Sequence, residues 1–234
     1  MKKSISVILS AHQEQYFIEE CLDSINNQTY FKDYDDYEIL LGIDGCEETK
    51  NKVLEIKDKY KNLRVFWFED NNGPYLVFNT LISKSKYDVI SIFGADDTMF
   101  DDFIEYNIKF LNDNNFIRTR CTNYRHPNRN DVIVDYNTDG IILVFKEKVL
   151  NINGYRNWRC GGDTDLRKRL FLMGYKIINT PKVKFWRRIH DKSLTNSGEY
   201  VIGSPYRKNI QSIIDNNTNQ FIDKFEIYEK VKEI

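Results

Sequence analysis

Through the first half of the chain, short runs of β-branched and aromatic residues alternate with segments of helical periodicity. Strands are predicted at Ile5–Ser10, Glu38–Ile43, Arg64–Phe68 and Val89–Phe93. Between the first two, Phe17, Ile18, Cys21, Leu22 and Ile25 fall on one helical stripe, and a second helix is expected from about Glu47 to Tyr60. A third should run from Pro74 to about Ser85, with proline in the first turn, where its missing N–H leaves no hydrogen bond unmade. Strands alternating with helices predict an α/β fold around a largely parallel sheet.

After Asp97 the pattern becomes irregular. A helix near Asp101–Asn112 precedes the expected antiparallel or mixed strands Phe116–Asn123, Val132–Asp135 and Ile141–Phe145. Asp163–Met173 reads as helix, and Lys176–Ile178 and Val183–Trp186 as further short strands. Beyond Gly198 the chain is polar and Asn-rich, ending in an expected amphipathic helix from about Gln220. This divides the sequence into a main domain, 1–198, and a C-terminal polar and helical extension, 199–234.

Length and composition then narrow the class. At 234 residues the chain suits one large domain with a tail, and 41% hydrophobic with 29% charged residues is ordinary for a globular protein. Its 34 basic and 35 acidic residues nearly cancel, so no overall field draws in nucleic acid or an anionic membrane. No apolar run is long enough for a transmembrane helix, and Ile5–Leu9 reads as a strand rather than a leader. Cys21, Cys46, Cys121 and Cys160 show neither CxxC nor zinc-ligand spacing, which fits free thiols and a cytoplasmic location.

Candidate chemistry lies at strand ends, because open parallel sheets bind ligands at the carboxyl ends of their strands. Ser10-Ala11-His12-Gln13 follows the first strand, Asp44-Gly45 the second and Asp96-Asp97 the fourth. A carboxylate at Asp44 can accept from a base imide or a ribose hydroxyl, and a cation held by Asp96 and Asp97 can neutralise a diphosphate. Each piece also has a plain reading: Asp44-Gly45 as a turn, Asp96-Asp97 as a helix-capping loop.

Order and separation make the pieces specific. Ser6 through Glu14, Glu20-Cys21-Leu22-Asp23-Ser24-Ile25, Gln28-Thr29, Glu38 through Gly45, Asn72-Gly73-Pro74 with Asn79, and Ala95-Asp96-Asp97 together resemble family 2 glycosyltransferases of the GT-A fold. The resemblance reaches to about Ser193. It implies a Rossmann-like nucleotide-binding half with a mixed central sheet and a smaller antiparallel sheet on the acceptor side. It also implies a nucleotide-sugar donor, Mn²⁺ or Mg²⁺, and an attacking acceptor hydroxyl.

Matched residue by residue, Asp44 takes the nucleobase-binding position and Asp96 the second aspartate of the DxD metal motif, whose first aspartate is Gly94 here. Ser10, Ala11, His12, Asn79, Ala95 and Arg188 are the further donor-side candidates, and Asp97 is a second metal candidate. Gly162-Asp163 stands where the family carries Glu-Asp, which puts Asp163 at the implied general base; the same residue would also cap the following helix. Asp165 is spaced to pair with Arg169 and is not assigned to catalysis. Trp186 through Thr195 resembles the family's Arg-x-His-x-x-Ser segment, making His190 a metal or phosphate ligand or else a surface imidazole. Strand parity puts Arg188 rather than Arg187 on the side of His190. Tyr155 and Trp158 are candidates to stack on an acceptor sugar, and His126 is expected in a solvated basic loop.

The sequence therefore predicts a metal-dependent inverting glycosyltransferase, with a UDP-sugar as donor and a saccharide or other hydroxyl as acceptor. A rival reading is a catalytically weak nucleotide- or glycan-binding protein of the same fold, suggested by Gly94 and Gly162 standing in for family carboxylates. A sugar nucleotidyltransferase is disfavoured, because no Gly-rich basic loop follows the first strand.

Overall fold

A computed structural model describes residues 2–32, 34–196, 198–217 and 222–234. Four strands, β1 (Ile5–Ala11), β2 (Tyr37–Asp44), β3 (Leu63–Phe68) and β4 (Val89–Gly94), are parallel in the order β3-β2-β1-β4. Their side chains are almost all buried because helices cover both faces, which explains near-continuous apolar runs instead of alternation. Helices α1 (Ile18–Asn26) and α2 (Glu47–Ile56) pack on one face. Helix α3 (Pro74–Lys84) covers the other. Both faces follow from right-handed crossovers on either side of β1.

Beyond β4 come the short β5 (Thr98–Met99) and α4 (Phe103–Ile108), the latter shorter than its sequence pattern suggests. The strands β6 (Asn115–Arg125), β7 (Val132–Phe145) and β8 (Lys176–Ile189) extend the sheet in the order β5-β8-β6-β7-β4. β7 is antiparallel to both β4 and β6, so the sheet is mixed. β7 and β8 are each one 14-residue strand where two short strands were expected. The polar middles, such as Asn137–Gly140 and Asn179–Lys182, hide this continuity, and the register shift opposite Arg118 and Arg120 accommodates Pro181, which has no N–H to donate.

Between β7 and β8 lie α5 (Lys146–Asn151) and α6 (Gly162–Leu172). The C-terminal helix is α7 (Pro205–Asn217), earlier than the expected start at Gln220; that residue lies outside the described ones, and 222–231 is not helical. Instead Phe225, Tyr228 and Val231 pack on the apolar cluster over α3, and β9 (Lys232–Glu233) pairs antiparallel with β3. Arg64 joins this edge by donating to both Glu38 and Glu233. All four cysteines are free and buried. Among the described residues no helix is long and apolar enough to cross a membrane.

Candidate active site

Sheet order places the cleft. Strand order reverses about β1, whose last residues pair with β4 as Ser10↔Gly94, so the loops after β1 and β4 part there. A cleft of about 560 Å³ opens at this point, lined by Ser10, His12, Glu14, Asp44, Ala95 and Asp96 from strand ends and by Arg159, Lys192 and Tyr200 from the second half.

On one side Asp44, 2% exposed, accepts from the backbone N–H groups of Asn72 and Gly73 at 2.7 Å each. Gly73 is at φ 84°, and a Cβ there would sit 3.0 Å from Arg159 Cδ, so glycine lets the loop close over the carboxylate. Burial raises the Asp44 pKa, and the two N–H groups oppose the rise. The Asp44 carbonyl can only accept, so the 2.6 Å contact from His12 Nδ1 places the hydrogen on that nitrogen. His12 Nε2 is then the acceptor for Asn71 Nδ2 at 3.2 Å, and Arg159 holds Asn71 from the other side at 2.5 and 2.7 Å. A preformed loop with an acidic floor results.

On the other side, His190 Nε2 lies 3.2 Å from Asp96 Oδ2. One oxygen of Glu14, one of Asp96 and one ring nitrogen of His190 all lie within 4.8 Å of one another. Glu14 Oε2 is shut off from solvent and has no hydrogen-bond partner among the described residues. Its carboxyl is pushed up to about 9, first by burial and then by Asp96 and Asp97. Two carboxylates and an imidazole at these separations, with one Glu14 oxygen left without a hydrogen bond, make a donor set that fits a divalent cation.

Asp97 does not belong to that set. It is 5% exposed, accepts from the Arg188 backbone N–H at 2.9 Å, and has a pKa held well above the usual carboxylate range by burial and by Asp96. It fixes the loop to β8 in place of binding metal. Arg188 shares a face with His190, as parity predicts, and both lie against Phe17. Yet its guanidinium is engaged by Asp96 O, His126 Nδ1 and Glu20, and the side chain is buried, so it is a bracket for the Asp96 loop rather than a diphosphate clamp. Lys192, which sequence reasoning did not single out, is exposed and lines the cleft.

Three further expectations are corrected by burial. Ala11 is fully buried with its side chain in the core. Asn79 is also fully buried: its Nδ2 donates to Tyr155 O at 2.9 Å and its Oδ1 accepts from Tyr155 N at 2.8 Å. The Tyr155 ring is 2% exposed and stacked on Tyr75, with centroids 5.4 Å apart, so it offers no face to a sugar. Trp158 is half-buried between two apolar clusters beneath Arg156, outside the cleft lining.

Asp163 starts α6 from behind Tyr75, whose hydroxyl donates to it at 3.1 Å. The Tyr75 ring accounts for Gly162, because a Cβ there would meet ring carbons at 2.8 to 2.9 Å. Burial raises the Asp163 pKa, Asp139 adds to the rise, and the Thr164 N–H and Tyr75 oppose it. Asp163 borders a separate cavity of about 280 Å³ that α7 covers with Arg207, Ile210 and Ile214. Arg159 lines the donor-side cleft, and the next residue in the chain, Cys160, lines this second cavity. Asp165 is bound by Arg169, as its spacing predicts, and by Arg156, and Arg169 also holds the Ile152 and Gly154 carbonyls, which ties α6 to the 152–156 turn.

Comparison with known proteins agrees with this architecture. The family model described as Glycosyl transferase family 2 matches residues 6–169. The O-antigen biosynthesis glycosyltransferase WbnJ of Escherichia coli is 23% identical over 222 residues, 82% of each chain. Crystalline TarS 1-349 of S. aureus in complex with UDP-GlcNAc superposes with a TM-score of 0.70 at 15% identity, over 83% of this chain and 61% of its own. A mannosyltransferase from Pyrobaculum calidifontis, in complex with GDP-Man and Mn²⁺, gives 0.67 at 18% identity, over 82% and 59%. At such identities the likeness to these structures is one of fold, the GT-A arrangement. The chain spans 16%, 20% and 45% of the length of three uncharacterised glycosyltransferases from Rickettsia bellii, Rickettsia felis and Haemophilus influenzae.

Proposed function

Because the chain belongs to glycosyl transferase family 2, we propose that it moves a sugar from a UDP-sugar to an acceptor hydroxyl with inversion, in a reaction that depends on Mn²⁺ or Mg²⁺. The observation that carries this reading is the convergence of Asp44 and Asp96, the latter paired with His190, on one cleft where the sheet order reverses. Asp44, fixed by two N–H donors, retains lone pairs for an imide N–H of the base. Ser10, His12 and Ala95 complete the donor wall, and Lys192 supplies positive charge. Asp96 and His190 would hold the divalent cation, which when bound neutralises charge on the departing diphosphate. The fold neighbours captured with UDP-GlcNAc and with GDP-Man and Mn²⁺ support a nucleotide-sugar donor.

Asp163 is the general base. Burial raises its pKa toward the range in which a carboxylate removes a proton efficiently near neutrality, and Tyr75 fixes its orientation. The acceptor hydroxyl enters from the side covered by α7, so within the 199–234 extension it is α7 and the turn before it that shape acceptor access for the 1–198 transferase unit. The test is the Asp163→Asn variant: UDP affinity should stay at the wild-type level while turnover falls at least about a hundredfold. Full activity in this variant would remove the base assignment.

A further inference from the structure

We propose that Glu14 is a ligand of the divalent cation, supplying from the loop after β1 the carboxylate that β4 lacks at Gly94. The proposal rests on the metal-dependent reading above. A Cβ at Gly94 would come within 2.9 Å of Asp97 Oδ2 and 3.0 Å of Asp96 Oδ1. A side chain there would crowd the present positions of both carboxylates, Asp96 of the metal set and Asp97 of the loop anchor, so in this arrangement a further acidic ligand comes from another element.

Glu14 is the residue placed to do so. The Ser10↔Gly94 pairing sets its loop beside Ala95-Asp96. Its backbone is pinned on both sides, the N–H donating to Thr49 Oγ1 at 2.9 Å and the carbonyl accepting from Phe17 and Ile18 at 3.0 and 2.9 Å. Ligand atoms of one hard cation stand no more than about 4–5 Å apart, twice the usual bond length. The Glu14, Asp96 and His190 atoms, within 4.8 Å of one another, meet that limit.

An independent observation points to an occupant. Oε2 of Glu14 is enclosed and unpartnered among the described residues, although a guanidinium lies nearby. That guanidinium, on Arg188, is directed to Asp96 O, His126 and Glu20. Among the described residues no hydrogen-bond donor reaches this buried oxygen, whereas a bound cation would satisfy it. A structural role predicts the opposite arrangement, with both oxygens bonded to the protein.

The experiment is titration of Mn²⁺ alone into the chelator-stripped full chain, followed by EPR or calorimetry, for wild type, Glu14→Ala, Glu14→Gln and Asp96→Ala. Melting temperature and UDP affinity in EDTA are measured alongside. Both Glu14 variants should bind Mn²⁺ at least about tenfold more weakly. In EDTA they should melt no lower than wild type and bind UDP unchanged. Wild-type Mn²⁺ affinity in both Glu14 variants, with loss in Asp96→Ala, would overturn the Glu14 assignment and leave the metal reading intact. If wild type binds no Mn²⁺, with or without UDP, both fall. A melting temperature lowered in EDTA, with Mn²⁺ affinity retained, would show Glu14 to be structural and also overturn the proposal.

Discussion

Replacing Asn79 by alanine separates a donor-binding role from a packing role. The Asn79 amide closes a two-bond bracket on Tyr155, through Nδ2 to the carbonyl at 2.9 Å and Oδ1 to the N–H at 2.8 Å, in a fully buried setting. Alanine would leave one N–H and one C=O without partners, at about 1–3 kcal/mol each. The turn has little freedom to recover them, because Gly154 is at φ 65° with its carbonyl held by Arg169 at 2.6 Å. We expect a total loss of about 2–6 kcal/mol, and hence a fall in Tm of roughly 5–25 °C for a chain of this size. Urea unfolding followed by tryptophan fluorescence would measure it, with UDP affinity determined by calorimetry well below the transition. The expected pair of results is a lowered urea midpoint and an unchanged UDP Kd. An unchanged midpoint with UDP binding weakened tenfold would refute the reasoning and return Asn79 to the donor site.

Asp165→Ala should destabilise by about 3–5 kcal/mol, because it leaves the fully buried Arg169 guanidinium without its carboxylate; equal unfolding midpoints would contradict this. The raised pKa of Asp163 has two opposite consequences. Turnover requires the ionised form, so kcat/KM should rise with pH through a value above the ordinary aspartate pKa of 3.8. The folded state favours the protonated form, so the stabilising contribution is present below 3.8 and is lost as pH rises through the raised value. Asp163→Asn should flatten that part of the Tm-against-pH curve, and an unaltered slope would count against the burial argument. Proton NMR of the first-formed product should show the anomeric configuration opposite to the donor's; retention would exclude direct attack assisted by Asp163.

Where the sequence succeeded, the physics is local. The four parallel strands are buried on both faces and read as apolar runs, and a carboxylate directly after such a run, as at Asp44 and Asp96, has to emerge at the strand's carboxyl end. Parity along β8 correctly put Arg188 rather than Arg187 on the side of His190, which the resemblance of the 186–195 segment had singled out. The errors concern partners that no spacing encodes. Whether Asn79 faces a ligand or a turn, and whether the Arg188 guanidinium is free or engaged, depends on segments far along the chain such as Tyr155 and Glu20. Glu14 was overlooked for the same reason: it meets Asp96 and His190 only after β1 and β4 pair. The continuity of β7 and β8 is hidden in the sequence because their middles are polar and lie where the sheet is less deeply covered.

The most direct test of the account is UDP release from a panel of UDP-sugars, each with a panel of hydroxyl acceptors, in Mn²⁺ and in excess EDTA. Release from at least one donor should require Mn²⁺, stop in EDTA and be lost in Asp96→Ala. UDP bound tightly with no donor turned over, or release that proceeds equally in EDTA, would contradict it.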